Sequence, residues 1–179
     1  MGIGWYGTGS GPGVYRSVAP AWGDANLREL AAHIESPLFL THVRAAIGSP
    51  VQETNCHPFR HGQRLFVHNG FIADFHLLRR DLMLAIDPAL FAEVHGSTDT
   101  EVVFYLALTF GLQDDPIAAL ERTIGFIEAT AQARGVADAV QGSFGMSDGV
   151  TLWAVRYATN GEPRSLFASA DVESVRRPG

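Results

Sequence analysis

The 179-residue sequence contains no lysine, and all 13 of its basic residues are arginine. Chemistry through a Schiff-base lysine is therefore excluded for these residues. Charged residues make up only 18% of the chain, and the formal net charge is −6. Sequence-independent binding of nucleic acid requires a basic surface that displaces counterions. The net charge of −6 therefore argues against a nucleic-acid partner.

Cysteine occurs once, at Cys56. One thiol cannot form an intramolecular disulfide or a cysteine-rich zinc site. Long apolar runs are also missing, because the longest, over 102–112, is interrupted by Tyr105, Thr109 and Gly111 and is shorter than the roughly 18 residues that span a bilayer. No export signal is visible. We therefore expect no membrane partner and a location in the reducing cytoplasm.

Apolar residues, by contrast, are plentiful: they make up 46% of the chain, which is ample for one core. We expect a single domain over residues 1–179. Strand and helix signals follow one another in the order β-β-α-β-β-α-α-α-β-β-β. This order fits two sheets and a helical layer.

Local patterns predict the individual elements. An opening hairpin is expected, with Ile3–Tyr6 and Val14–Val18 joined by a glycine-rich turn, and Asp24 is expected to cap the first helix. The near-continuous apolar run Leu38–Val43 is typical of a strand covered on both faces. Helical spacing and capping signals predict three further helices over 74–86, 99–112 and 115–134. Further strands are expected at Arg64–His68, Ser143–Ser147, Thr151–Ala158 and Ser165–Ala168.

Four short stretches are too polar for ordinary core, and they lie at the expected ends of elements. They are Thr41–Arg44, Asn55–Phe59, Phe66–Gly70 and Ser97–Glu101. Arg44 can form a surface salt bridge, or it can anchor a ligand carboxylate through its planar fork of donors.

The pair Asn69-Gly70 after a strand is by itself a turn signal. It can also form an oxyanion hole from the Asn69 side-chain amide and the Gly70 backbone N–H, because glycine lets the backbone approach a ligand closely. Asp99 at the start of a helix is favoured by the helix dipole, and it can equally hold an ammonium group.

The sequence has seven histidines, so a metal site must be considered. The spacing is poor, because no predicted helix carries a His-x-x-x-His pair and there is no HExxH motif. We favour hydrogen-bonding roles for His57 and His68 in a loop scaffold, and we expect no metal and no other cofactor. Cys56 beside His57 is interpreted as a small buried residue, since adjacent side chains rarely face one another.

In their order and spacing, the four stretches resemble the class II glutamine amidotransferase domain of the N-terminal nucleophile hydrolases. The closer resemblance is to small stand-alone members, which include hydrolases of a γ-glutamyl amide in ergothioneine synthesis. The resemblance extends from about Gly2 to the closing strands and is strongest between Thr41 and Glu101. It implies an α+β fold with four layers in the order αββα.

The resemblance also implies roles for individual residues. In such enzymes the arginine at the position of Arg44 binds the α-carboxylate of glutamine, and the aspartate at the position of Asp99 binds the α-ammonium group. The pair matching Asn69 and Gly70 forms the oxyanion hole.

The loop with Asn55, His57 and Phe59 is similar to the loop that braces the pocket of the stand-alone members. We therefore assign Asn55, His57 and His68 to the substrate pocket as well. Cys56 occupies a variable position of this loop, which argues against Cys56 as the nucleophile.

Two departures from the family stand out. The family nucleophile is an N-terminal cysteine whose own α-amine is the base, whereas this chain begins with Met1 and Gly2. We expect the nucleophile-bearing first segment, and the last strands of the family, to be absent. Ile47 stands where the family usually has a threonine that helps to hold the substrate carboxylate, which leaves the substrate preference open.

The expected activity is attack of a cysteine thiolate on the side-chain amide of glutamine or on a γ-glutamyl amide. The partners expected are this small substrate and, in trans, a synthetase or another acceptor of ammonia. Two alternatives stay open. The chain can be a non-catalytic module that binds glutamine or γ-glutamyl compounds, or an inactive fragment.

Overall fold

The computed structural model describes residues 1–44 and 50–169. Its first sheet has three antiparallel strands, with β1 (Gly2–Trp5) between β2 (Gly13–Arg16) and β3 (Phe39–His42). Gly4 of β1 lies opposite Val14 on one side and opposite Leu40 on the other. The predicted opening hairpin is confirmed.

The second sheet has four antiparallel strands in the order β4-β5-β6-β7. Their bounds are β4 Phe59–His61, β5 Arg64–Ile72, β6 Val140–Ser147 and β7 Leu152–Ala158. The long β5–β6 ladder forms the centre of the sheet, with Leu65 opposite Ser147 at one end and Ile72 opposite Val140 at the other.

Five α-helices are present in the described residues, and capping side chains account for where four of them begin. Asp24, Asp87, Thr98 and Asp115 each accept a hydrogen bond from a backbone N–H in the first turn, as N-cap residues do. The bounds are α1 Ala25–His33, α2 Phe75–Leu84, α3 Pro88–Phe91, α4 Asp99–Thr109 and α5 Pro116–Ala133. No helix in this part of the chain is long and apolar enough to cross a membrane.

The two sheets pack face to face through a small apolar cluster of Tyr6, Leu40 and Leu65. Gly4 makes the approach possible, because a Cβ atom at this position would lie 2.8 Å from Leu65 Cδ1. The Tyr6 hydroxyl crosses between the sheets and donates to Ser147 O at 2.8 Å.

The larger core lies on the other face of the second sheet. Alternate residues of its strands point to this face, including Phe66 and Phe144, and pack against α2, α4 and α5. On the outer side of the first sheet, Leu30 of α1 and Ile34, which directly follows this helix, lie beside Ile3. The layers are therefore α1, the first sheet, the second sheet and the remaining helices, so the expected four-layer αββα fold is confirmed.

Two sequence expectations are wrong. The strand β3 is not covered on both faces, since Phe39 is 60% exposed and Leu40 is its one buried residue. In the described residues β3 pairs only with β1 and so lies at a sheet edge. The expected strand Ser165–Ala168 is also absent, because these residues have no regular structure and pair with no neighbouring strand.

We predict that Leu65→Ala lowers the free energy of unfolding by about 2–5 kcal/mol, because the cavity would open between two sheets that cannot collapse onto it. Leu152→Ala is the matched control, since Leu152 is 58% exposed on β7, and its effect should stay within about 0.5 kcal/mol. Urea unfolding followed by circular dichroism measures both. Equal losses in the two variants would contradict the packing of the two sheets.

Candidate functional site

The edge of β5 that faces away from β6 is only partly paired. The Ala73 N–H donates to Ala139 O at 2.9 Å, and hydrogen-bonded pairs alternate along an antiparallel ladder. The N–H groups of His68, Gly70 and Ile72 must therefore point away from β6. Strand β4 covers this edge only up to Phe66, so these three donors need other partners.

Two of the three donors are bonded to side chains. The His68 N–H makes a long hydrogen bond of 3.5 Å to His57 Nδ1, and the Ile72 N–H donates to Asp99 Oδ2 at 2.8 Å. The Gly70 N–H lies between them, and no described residue accepts from it. Gly70 instead lines a cavity of about 420 Å³, which is within the usual size range of small-molecule sites.

This cavity, called the β5 cavity below, brings together six of the seven residues that the sequence singles out. Three of them belong to β5, and the others follow β3, precede β4 or begin α4. They are Arg44, His57, His68, Asn69, Gly70 and Asp99.

Asn69 and Gly70 lie within β5, opposite Ser143 and Gly142, so the interpretation of this pair as a turn is wrong. A Cβ atom at residue 70 would collide with Gln141 O and Gly142 Cα. Only glycine fits at this position of the ladder. Both residues are exposed to the cavity side, although they belong to a regular strand.

His68 belongs to the same strand, and its side chain is buried. Its side chain is 2% exposed, its ring stacks on Phe144 at 4.6 Å, and its Nδ1 lies 3.0 Å from Thr100 Oγ1. Burial lowers the pKa of His68, although the charge of Asp99 opposes the shift. Gly142 leaves the space that the ring occupies. The imidazole is therefore held in one position as a neutral group.

The rings of His42 and His57 are stacked, with their centroids 4.0 Å apart. Burial lowers the pKa of His42 to about 4 and that of His57 to about 2, and the neighbouring Arg44 charge acts in the same direction. The three histidines do not make a metal site, since the described residues hold no group of side chains that could bind a metal ion.

The formal charges of the β5 cavity come from Arg44, Arg164 and Asp99. Asp99 begins α4, and its carboxylate accepts from the N–H groups of Ile72 and Thr100, each at 2.8 Å. Arg44 donates to Pro50 O at 3.5 Å and is half-buried. The cavity therefore presents two guanidinium groups, a carboxylate, an amide side chain and an open backbone N–H.

Asn55, the seventh residue, is not among the described residues that line the cavity, and its assignment to substrate binding stays a prediction. Its side chain is fully buried, donates to Pro50 O at 2.9 Å and accepts from the Ser97 N–H at 2.8 Å. It therefore ties Pro50 to the segment before α4. Ile47 lies outside the described residues.

Sequence reasoning missed Thr100 and Arg164, which also line the cavity. Thr100 follows Asp99 directly, but its importance comes from its contact with His68, 32 residues away. Arg164 donates to Gln141 Oε1 at 3.3 Å, in a segment where a strand was expected. Thr100 belongs to the polar stretch Ser97–Glu101, but nothing in that stretch indicates its contact with His68, and Arg164 belongs to none of the four stretches.

Cys56 lies outside the β5 cavity. Its thiol is buried, with Sγ 3.6 Å from Ser17 O and 3.7 Å from Gln52 O. The interpretation as a small buried residue is confirmed by this position.

Comparison with known proteins gives one consistent result. A family model described as glutamine amidotransferases class II matches residues 1–164. The probable glutamine amidotransferase DUG3 of Saccharomyces cerevisiae is 35% identical over 168 residues, which cover 84% of this chain and 47% of the yeast protein. The γ-glutamyl-hercynylcysteine sulfoxide hydrolase of Mycobacterium tuberculosis is 36% identical over 72 residues, or 40% of this chain and 30% of that protein.

A solved structure is also similar. A glutamine aminotransferase class II domain protein from Silicibacter pomeroyi superposes with a TM-score of 0.82 at 41% sequence identity. The superposition covers 90% of this chain and 68% of that protein. The chain thus spans about half the length of the yeast relative and two thirds of the solved one.

We predict that the stability of the protein falls below pH 6.5 because His42 and His57 are held neutral. An unfolded histidine takes up a proton near pH 6.5, whereas these two do not until the pH is much lower. The unfolded state then binds more protons, so the free energy of unfolding decreases as the pH falls. The expected loss between pH 6.5 and pH 5 is up to about 2 kcal/mol for each ring.

Urea unfolding between pH 7.5 and pH 5 measures this slope. His42→Gln should reduce the slope, because it removes one titrating group from the unfolded state. His33→Gln, on the exposed face of α1, is the matched control and should reduce the slope less. A slope that His42→Gln leaves unchanged would refute the prediction.

Proposed function

The chain belongs to the class II glutamine amidotransferase family, and we propose from this that the β5 cavity binds the glutamyl part of glutamine or of a γ-glutamyl amide. The observation that carries the proposal is the open Gly70 N–H between two bonded N–H groups of the same strand edge. A donor kept without a partner beside a polar cavity is suited to bind a negative charge that forms during a reaction.

The charged groups suit an α-amino acid. The Arg44 guanidinium matches a carboxylate in shape and charge, and the half-exposed Asp99 carboxylate can accept from an ammonium group. Both groups line one cavity although 55 positions of the sequence separate residue 44 from residue 99. The neutral imidazoles between them add no charge that would compete.

In the proposed reaction a cysteine thiolate attacks the side-chain amide carbon and forms a tetrahedral oxyanion. The Gly70 N–H and the Asn69 amide donate to this oxyanion, and losing one such donor costs about 2.7–4 kcal/mol of transition-state stabilisation. The C–N bond then breaks as the leaving nitrogen takes up the proton that the thiol lost, and ammonia or an amine leaves. Water attacks the resulting thioester and releases the glutamyl acid and the thiol.

The thiolate is the one group that the described cavity lacks. Cys56, the one cysteine of the sequence, lies outside the cavity. We therefore propose that the nucleophile comes from polypeptide outside this sequence, whether of the same or of another chain. A synthetase or another acceptor of ammonia in trans, and a reducing cytoplasmic location, belong to the same proposal.

A non-catalytic binding module remains the second candidate. The absence of a thiol from the described cavity walls favours it, because the charges that would bind glutamate are in place without a nucleophile. Both candidates require binding of the α-amino acid, and only the first requires turnover.

We predict that Arg44→Gln and Asp99→Asn each weaken binding of L-glutamate by roughly 2–5 kcal/mol, because one charge of the ligand would lose its partner in the cavity. Isothermal titration calorimetry with the 179-residue chain measures the affinities. Asp99→Asn keeps an oxygen that can accept from the Ile72 N–H, so the fold should be kept.

Arg122→Gln is the matched control for the loss of one positive charge. Arg122 is exposed and donates to Phe110 O, away from the β5 cavity. It should bind glutamate as the unchanged protein does. Glutamate binding that is insensitive to both Arg44→Gln and Asp99→Asn would rule out the proposed pocket.

We further predict that the 179-residue chain alone releases no glutamate from glutamine, because no thiol lines the described cavity. A coupled assay for glutamate with the purified chain measures this. Turnover that Cys56→Ala abolishes would overturn the argument and make Cys56 the nucleophile. Cys56→Ala should leave glutamate binding unchanged.

A further inference from the structure

A second cavity of about 580 Å³ lies on the other side of the first turns of α4. Asp99 and Thr100 line the β5 cavity, whereas Glu101 and Tyr105 line the second one. The two cavities share no lining residue among the described ones. We call the second one the α4 cavity.

Two guanidinium groups, those of Arg16 and Arg60, line the α4 cavity. Arg16 donates from Nε and Nη2 to Pro58 O, at 3.2 and 2.7 Å, and lies over the Phe59 ring at 5.7 Å. Arg60 donates from Nη1 to Pro12 O at 2.9 Å. Both cations are therefore held in place by neutral carbonyl groups and not by carboxylates.

Three carboxylates face the same space. Glu101 is 3% exposed and accepts from the His95 and Gly96 N–H groups at 2.9 and 2.6 Å. Glu93 is paired with His61, and Glu53 is exposed. Within residues 1–44 and 50–169, none of these carboxylates forms an ion pair with an arginine. Charges of both signs thus line the cavity without neutralising one another directly.

Tyr105 supplies an independent observation. Only 5% of the residue is exposed, and it forms part of the cavity wall. Its hydroxyl has no hydrogen-bond partner among the described residues. Burial, together with the charges of Glu93 and Glu101, raises the pKa of Tyr105 to about 12. The hydroxyl therefore stays protonated and can donate to a ligand.

We propose that the α4 cavity is a second binding site, which takes a zwitterion: a free amino acid or a short peptide. The ligand carboxylate would accept from Arg16, Arg60 and the Tyr105 hydroxyl, and its ammonium group would lie against the carboxylates. An anion alone would bring no cation to the glutamates, and a cation alone would bring no anion to the arginines. A molecule with both charges can interact with both sets of groups.

Titration calorimetry of the 179-residue chain with glycylglycine tests the proposal. N-acetylglycine carries only the carboxylate and glycinamide only the ammonium group, and each should bind at least about tenfold more weakly. Arg60→Gln should weaken glycylglycine binding about tenfold or more. Tyr105→Phe removes one hydroxyl and keeps the ring in the core, so it should weaken binding about two- to tenfold.

Matched controls separate this site from the rest of the protein. Arg122→Gln and Tyr157→Phe remove the same groups outside the α4 cavity and should leave glycylglycine binding unchanged. Arg44→Gln should also leave it unchanged, so that failure of this site and failure of the β5 cavity are distinguishable. Binding that depends on Arg44 and not on Arg60, binding of N-acetylglycine as tight as that of glycylglycine, or no saturable binding would each overturn the proposal.

Discussion

The hydrogen bond from the Ile72 N–H to the Asp99 carboxylate connects the first turn of α4 to the open edge of β5. A sheet edge with unpaired N–H groups must find acceptors, and here a helix start supplies one of them. Because the same carboxylate also accepts from the Thr100 N–H, Asp99 has a fixed position. The placement of Asp99 relative to the Gly70 N–H, on which the proposed chemistry depends, follows from this bond.

Glycine at two facing positions of the β5–β6 ladder makes the rest of the site possible. Gly70 and Gly142 leave room for the neighbouring backbone and for the His68 ring, which Thr100 and Phe144 hold in place. The ring is buried and neutral, so it supports the strand without adding a charge to the β5 cavity. In the first turn of α4, Asp99 and Thr100 thus form hydrogen bonds to β5, whereas Glu101 lines the second polar cavity.

The sequence by itself determined what depends on neighbouring residues. Capping side chains at Asp24, Thr98 and Asp115 are local signals, and the helices begin where these signals predicted them. The hairpins are local as well, since a short turn defines which strands pair. The polar stretches also indicated six residues that line one cavity, because their order along the chain resembles that of a known family.

Tertiary structure decided everything that depends on distant partners. Asn69-Gly70 looks like a turn in isolation, but its pairing with Ser143 and Gly142 extends the strand through it. The run Leu38–Val43 is apolar, yet β3 lies at an edge where Phe39 meets solvent. Asn55 has its hydrogen-bonding groups occupied by Pro50 and Ser97, and it is not among the described residues that line the cavity. Burial and hydrogen-bond partners are properties of the packed chain, because they arise only when residues far apart in sequence come into contact.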